Sequence, residues 1–231
     1  MANSPSRLRV KIKMACPVER FPGLDALPGV RAAFLGRCPS TPVDTDRETA
    51  LARIEAVHQA TLLAGGFRPE ALVRAEQVHG NQVALAEPEH AGLWLKGCDG
   101  LITNRPGLVL GIYVADCAAV FLVDPEARAI GLLHSGKKGT AGRILEVGVQ
   151  SLTTQFGSKP ESLVVVVSPC IRPPHYEIDF AADLRSQAEE LEIGQFHDAG
   201  ICTASHPEKY YSYRREMGKT GRMLALLSLE A

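Results

Sequence analysis

Three residues of this chain combine side chains and settings suited to chemistry at a metal ion. His79 stands at the end of a short run in Gln77-Val78-His79-Gly80, Cys117 lies between two apolar runs in Val114-Ala115-Asp116-Cys117, and His134 closes a third run in Leu133-His134-Ser135-Gly136. A strand end followed by glycine lets a side chain enter a cleft while the backbone turns away. Two imidazoles and a thiolate form a tridentate set that suits zinc and leaves a fourth position for water or substrate. The spacings are long and uneven, so only the fold could assemble such a site. From spacing alone, a buried cysteine and two hydrogen-bonded histidines is the commoner arrangement.

The elements that would position these residues follow from periodicity. Thr45-Asp46-Arg47-Glu48 has capping-box spacing, and Leu51, Ile54, Val57 and Leu62 follow at helical intervals until Gly65-Gly66. His58 on that helix reads as a surface residue. Residues 71–78 and 82–86 read as strands either side of His79-Gly80. The runs 108–114, 119–123, 129–134 and 163–167 are so uniformly apolar that they call for cover on both faces. A helix is expected from Thr140 to Phe156, another from an Asp179 cap through Leu191, and a last strand in GRMLALLSL. Helices do not alternate regularly with strands, which favours an α+β fold with mixed β-sheets over a doubly wound one.

Composition narrows the function classes. The chain has 231 residues, 45% of them hydrophobic, with 25 basic against 26 acidic side chains. That balance gives no electrostatic case for nucleic acid or an anionic membrane, and it disfavours intrinsic disorder. The longest apolar segment, Leu108 to Val123, is too short for a spanning helix and contains Asp116. The N-terminus shows no apolar stretch of signal-peptide length, so the chain reads as cytoplasmic, a single domain over 1–231. Six cysteines without a C-x-x-C spacing then read as five packing thiols (Cys16, Cys38, Cys98, Cys170, Cys202) and one ligand, Cys117.

An ordered series of motifs adds to this. It comprises Ala33-Phe34-Leu35-Gly36-Arg37, Gln77-Val78-His79-Gly80, Asp99-Gly100-Leu101-Ile102-Thr103, Ala115-Asp116-Cys117 and His134-Ser135-Gly136-Lys137-Lys138-Gly139-Thr140. Pro169-Cys170-Ile171, Tyr176-Glu177, Cys202-Thr203, Tyr211-Ser212-Tyr213-Arg214-Arg215 and Thr220-Gly221-Arg222-Met223 continue it. In type and order the series resembles the laccase-domain family, long labelled multicopper polyphenol oxidases and now better regarded as zinc-dependent purine nucleoside phosphorylases. The resemblance implies that His79, Cys117 and His134 hold the metal and form the catalytic centre. It also implies an adenosine deaminase side activity, and a four-layer α/β/β/α arrangement similar to the catalytic domain of the cytotoxic necrotizing factor toxins.

A phosphorylase of that kind takes a purine nucleoside and phosphate, as a monomer or homodimer. Lys138 and Arg143, at the glycine-flanked helix start Gly139-Thr140, are candidates for the phosphate, with Arg37 a second candidate for phosphate or ribose. Tyr211, Tyr213 and Arg215 are candidates for closing the pocket, and Asp99 and Asp116 for orienting ligands or capping turns. Two positions depart from the family pattern. Lys137 stands where an aromatic is usual, and Arg172 stands where glycine is usual. Competing readings use the same residues. Cys117 with His134 or His79 as base makes a metal-independent cysteine hydrolase of the peptidoglycan-precursor editing type. A copper-dependent polyphenol oxidase needs more histidine ligands than seven scattered ones readily supply. A zinc kept purely for structure would be coordinated by four protein groups.

Overall fold

Apolar runs without polar alternation need cover on both faces, and the chain meets that need by stacking two sheets. The computed structural model describes residues 16–230, so the expectation about the first residues of the chain falls mostly outside the described part. The chain runs β1 (Val18–Glu19), α1 (Pro22–Asp25), β2 (Val30–Leu35), α2 (Arg47–Ala64), β3 (Leu72–Ala75), β4 (Val83–Leu85), β5 (Trp94–Leu95) and β6 (Gly100–Thr103). It continues with β7 (Val109–Val114), β8 (Ala118–Asp124), β9 (Ala129–Ser135), α3 (Lys137–Ala141), α4 (Ile144–Phe156), β10 (Val164–Val167), α5 (Phe180–Glu190), β11 (Gln195–Asp198) and β12 (Met223–Leu229).

One sheet has the order β1-β2-β12-β7-β3-β5 and the other β11-β10-β8-β9-β6-β4, each with parallel and antiparallel pairs. Alternation along the strands sorts side chains into layers. Phe121, Leu132 and Val166 join the core shared with the first sheet, and the Phe121 ring lies 5.2 Å from that of Phe21. Their strand neighbours Val120, Leu122, Leu133 and Val165 point the other way, into a second core under α4 and α5. Helix α2 packs on the first sheet, with the His58 ring stacked on Tyr113 of β7 at 5.9 Å. The α+β class with mixed sheets is therefore as expected.

Four local expectations change. The helix expected from Thr140 is two helices, because Gly142 and a left-handed Arg143 (φ 57°) end α3 and restart the chain as α4. Helix α2 is capped one residue later than expected, by Asp46, which accepts the Thr49 N–H at 2.9 Å. His58 is buried, because it shares the inward face with Ala50 and Ile54 at four-residue steps. Burial pushes its imidazole down to about 4. Cys16 and Cys38 are not separate packing thiols but a disulfide. No described helix is long and apolar enough to cross a membrane.

The cap sets a pH prediction. Hydrogen bonds from Thr49 and Thr45, stronger than the opposing effect of burial, lower the Asp46 carboxyl from 3.8 to about 2. A carboxylate whose pKa falls on folding adds stability above its unfolded value and loses it as pH drops toward the folded one. In thermal melts across pH 5 to 2, Asp46→Asn is expected to show a shallower acid-side loss than the parent chain; an unchanged slope would remove Asp46 from the acid response.

Candidate active site

The cluster forms where the chain passes from one sheet to the other. His79 lies between β3 of the first sheet and β4 of the second, and Cys117 lies between β7 of the first and β8 of the second. His134 is near the end of β9, opposite Ala119 of β8. The ligand atoms of His79, Cys117 and His134 all lie within 4.8 Å of one another. The two imidazoles meet edge to face, with centroids 4.8 Å apart.

Tight backbone makes this approach feasible. Gln77, His79 and Asp116 all have positive φ, at 65°, 62° and 82°, a conformation that costs a non-glycine residue energy and persists only where surroundings enforce it. The enforcing groups are visible. The Gln77 carboxamide exchanges hydrogen bonds with the backbone of Tyr113. Asp116 accepts from Thr203 Oγ1 at 2.7 Å, Ser212 Oγ at 3.0 Å and the Arg214 N–H at 2.7 Å. Gly136 passes so close to Cys117 that a Cβ there would stand 2.6 Å from its Sγ, which explains the glycine after His134-Ser135.

Asp99 ties the ligands together. Its carboxylate is buried, accepts the N–H groups of His79 at 2.9 Å and Gly80 at 2.7 Å, and bonds His134 Nδ1 at 2.8 Å. Burial opposes its charge, but the bonds from His134 and Gly80 prevail and hold the carboxyl below its usual range. With Nδ1 so engaged, Nε2 of His134 is the nitrogen left for a ligand. Burial would raise the Cys117 thiol, yet hydrogen bonding and charge from His134, then His79, lower it to about 6. Burial likewise opposes the His134 cation, and Asp99 and Cys117 overcome it, raising His134 to about 9. Both shifts favour a thiolate–imidazolium pair when metal-free, and loss of the one proton on His134 Nε2 turns the group into a mixed N/S donor set. Such a set fits zinc with an open position.

A cavity of about 790 Å³ opens over the cluster. Ile171, Tyr176, Phe180 and Tyr213 give it an apolar and aromatic side, and Arg47, Lys137, Arg214 and Arg222 give it cations. Lys137 and Arg214 share Glu177, at 3.6 and 3.8 Å. Arg47 donates to the Glu76 carbonyl, and Arg222 to the carbonyls of Thr220 and Gly221. Neither has a carboxylate within salt-bridge distance among the described residues. Burial, and then the nearby Arg47 charge, lowers the Arg222 guanidinium from its ordinary value.

The other sequence candidates stand elsewhere. Arg37 pairs with Glu216, stacks over Tyr211 at 4.4 Å and donates to the Tyr210 carbonyl, so it braces the segment carrying Tyr213 and Arg214 from behind. Lys138 is exposed and Arg143 pairs with Glu146 and Glu190; neither lines the cavity. The cavity lining thus includes none of the three; Arg143 sits at the break between α3 and α4, and Lys138 follows Lys137, which does line the cavity. Tyr213 lines the cavity, Tyr211 is buried behind it, and Arg215 donates to the Ala204 carbonyl. Arg172 turns from the cluster to pair with Asp198. Arg47, Gln77 as a brace, Tyr113 and Arg222 were not singled out. Arg222 lay inside a quoted motif, whereas nothing local distinguishes Arg47 from any other first-turn arginine.

Fold and cluster define a class: two-sheet α+β proteins with a His/Cys/His donor set at the sheet crossings. The family model described as multi-copper polyphenol oxidoreductase laccase matches residues 41–187 and 178–230. The chain belongs to that family. A relative from Deinococcus radiodurans named purine nucleoside phosphorylase is 33% identical over 243 residues, covering 92% of this chain and 93% of its own. The Bacillus subtilis purine nucleoside phosphorylase YlmD is 29% identical over 68% of this chain and 70% of its own. The crystal structure of YlmD from Geobacillus stearothermophilus has the same fold, with a TM-score of 0.78 and 22% identity over 91% of this chain and 94% of that one.

Because Asp99 fixes the His134 tautomer and the His79 turn together, its loss should be felt at the cluster before the core. For Asp99→Asn, zinc affinity measured by competition with a chromophoric chelator is expected to fall roughly 10–100-fold with far-ultraviolet circular dichroism unchanged. Parental affinity in that variant would deny the orienting role.

Proposed function

We propose that this protein is a purine nucleoside phosphorylase acting in a single domain, with His79, Cys117 and His134 holding a zinc ion. One observation carries the reading: the donor set shares its cavity with an aromatic side and with two arginines that lack carboxylate partners among the described residues. The names of the relatives from Deinococcus radiodurans and Bacillus subtilis support it.

The reaction needs a phosphate oxygen to form a bond to the anomeric carbon while the bond from that carbon to the purine nitrogen breaks. With hydrogen phosphate as nucleophile, its proton ends on the departing purine, so charge and atoms balance. Arg47 and Arg222 would hold the phosphate, since guanidinium groups match phosphate oxygens in geometry and charge. Tyr176, Phe180 and Tyr213 would receive the purine by stacking. Asp99 would keep His134 oriented throughout. A zinc ion bound there would supply a positive charge to polarise a substrate oxygen or lower the pKa of a water. The proposed deaminase side activity exchanges the amino group of adenosine for the oxygen of a water, with ammonia leaving.

A second reading is favoured by the Cys117–His134–Asp99 relay, which has the nucleophile, base and orienting group of a cysteine hydrolase. Metal-free chain that is active and rapidly inactivated by iodoacetamide would support it. Copper oxidase chemistry finds less support, because among the described residues the cavity carries one three-ligand group.

Zinc-loaded protein should release free base from adenosine, inosine, guanosine or methylthioadenosine only when phosphate is present, as seen by chromatography. Base release indifferent to phosphate, or none at all, would overturn phosphorolysis; ammonia release without phosphate would mark deamination. Loss of one charge-assisted contact costs about 1.5–3 kcal/mol. Arg222→Ala is therefore expected to raise the KM for phosphate roughly 10–100-fold while that for nucleoside changes far less. An equal rise in both would take Arg222 out of the phosphate site.

A further inference from the structure

A second group of metal-ligating side chains lies away from the cavity. Cys16, Cys38 and His58 bring their ligand atoms within 4.8 Å of one another, and all three are almost completely buried, at 3%, 2% and 1% exposure. Among the described residues, both ring nitrogens of His58 lack a hydrogen-bond partner. A buried polar atom without a partner is costly, and in native proteins it calls for an explanation. The packing holds the ring in place: it stacks on Tyr113, one helical turn from Thr61, whose Oγ1 accepts the Cys16 N–H at 3.2 Å. Cys38 is anchored on the other side by the Tyr211 hydroxyl, which accepts its N–H at 3.1 Å. The imidazole is therefore fixed beside two sulfurs, and among the described residues nothing engages its nitrogens.

We propose that in the dithiol form of this chain Cys16, Cys38 and His58 make a second zinc site, distinct from the cluster in the cavity. The charge of the ion follows from burial. Two thiolates in a dry interior need a compensating charge, and a divalent ion leaves the complex with a neutral imidazole uncharged overall. Thiolate and imidazole are also the donors zinc prefers. The Cys16–Cys38 disulfide is the closed form of the site, because it consumes both sulfurs. Opening it with a phosphine breaks the S–S bond and oxidises the phosphine to its oxide with oxygen from water. The two hydrogens of that water end on the sulfurs, and zinc binding then releases them as two protons.

The site lies behind the cavity wall without belonging to it. Tyr113 lines the cavity and stacks on His58, and Tyr211 links Cys38 to the segment that carries Tyr213 and Arg214. The inference does not depend on the phosphorylase reading.

The test uses the full chain, stripped of metal by a chelator and titrated anaerobically with Zn2+, with and without prior phosphine reduction. Reduced protein is expected to bind one more equivalent than oxidised protein. Cys117→Ser removes the cavity equivalent, so its reduced form should keep one and its oxidised form none; this separates failure of the second site from failure of the first. Reduced His58→Ala is expected to lose the second equivalent or bind it at least tenfold more weakly, while keeping the first. The comparison of oxidised with reduced parent chain needs no substitution and covers a variant that fails to fold. Equal zinc uptake by the two redox forms, or a second equivalent that survives His58→Ala at parental affinity, would overturn the proposal.

Discussion

The carboxylate of Asp99 is the interaction on which the site depends. It is buried one residue before β6, yet it reaches the backbone of a loop between the sheets and the imidazole of β9. One group therefore sets the path of the His79-Gly80 turn, the tautomer of His134 and, through His134, the charge on Cys117. A buried anion would be costly in isolation. Here three hydrogen bonds compensate it, two from backbone N–H groups and one from a histidine whose cation it favours.

Around that anchor the fold supplies constraint from several directions. Stacked sheets force the chain to cross between layers, and two of the three ligands sit on crossings, where side chains are free of strand alternation. The crossings are bought with unfavourable backbone at Gln77, His79 and Asp116, held by Tyr113, Asp99 and the 203–214 segment. Arg37 stabilises the same segment from its far side. The electrostatic result is uneven: Glu177 offsets Lys137 and Arg214, while Arg47 and Arg222 face the cavity with their charge uncompensated among the described residues. A near-neutral chain thus concentrates positive charge above a thiolate and two imidazoles.

The departures from the family pattern take on physical meaning in this setting. Lys137 sits at the rim beside Glu177, where the aromatic wall is instead built by Tyr176, Phe180 and Tyr213. Arg172 spends its charge on Asp198 and leaves the cluster untouched. Both changes alter the surroundings of the donor set and leave its three ligands in place. The family's description names copper, whereas this donor set and its open side fit zinc.

Much of this was legible in the sequence, and the rest was not, for identifiable reasons. Apolar continuity in 108–114, 119–123, 129–134 and 163–167 determined that these are strands covered on both faces, because period and hydrophobicity are local properties. His79 and His134 could be selected because they stand at strand ends with glycine one or two residues on, and Cys117 because it lies between two apolar runs. Arg143 could not be placed, since the helix break at Gly142-Arg143 rests on a left-handed backbone that residue type barely marks. Thr45 and Asp46 both suit a cap, and hydrogen bonding alone chose between them. His58 follows Ala50 and Ile54 at four-residue steps, so its inward face was legible in the helical period, whereas its stacking on Tyr113 was not. Cys16 and Cys38, Arg47 and Arg222, and the ties of Asp99 all join residues distant in the chain. Sequence alone determined which segments must be buried and which residues could react; only the tertiary structure decided which of them meet, because proximity across two sheets is set by side-chain packing and backbone turns that no local pattern encodes.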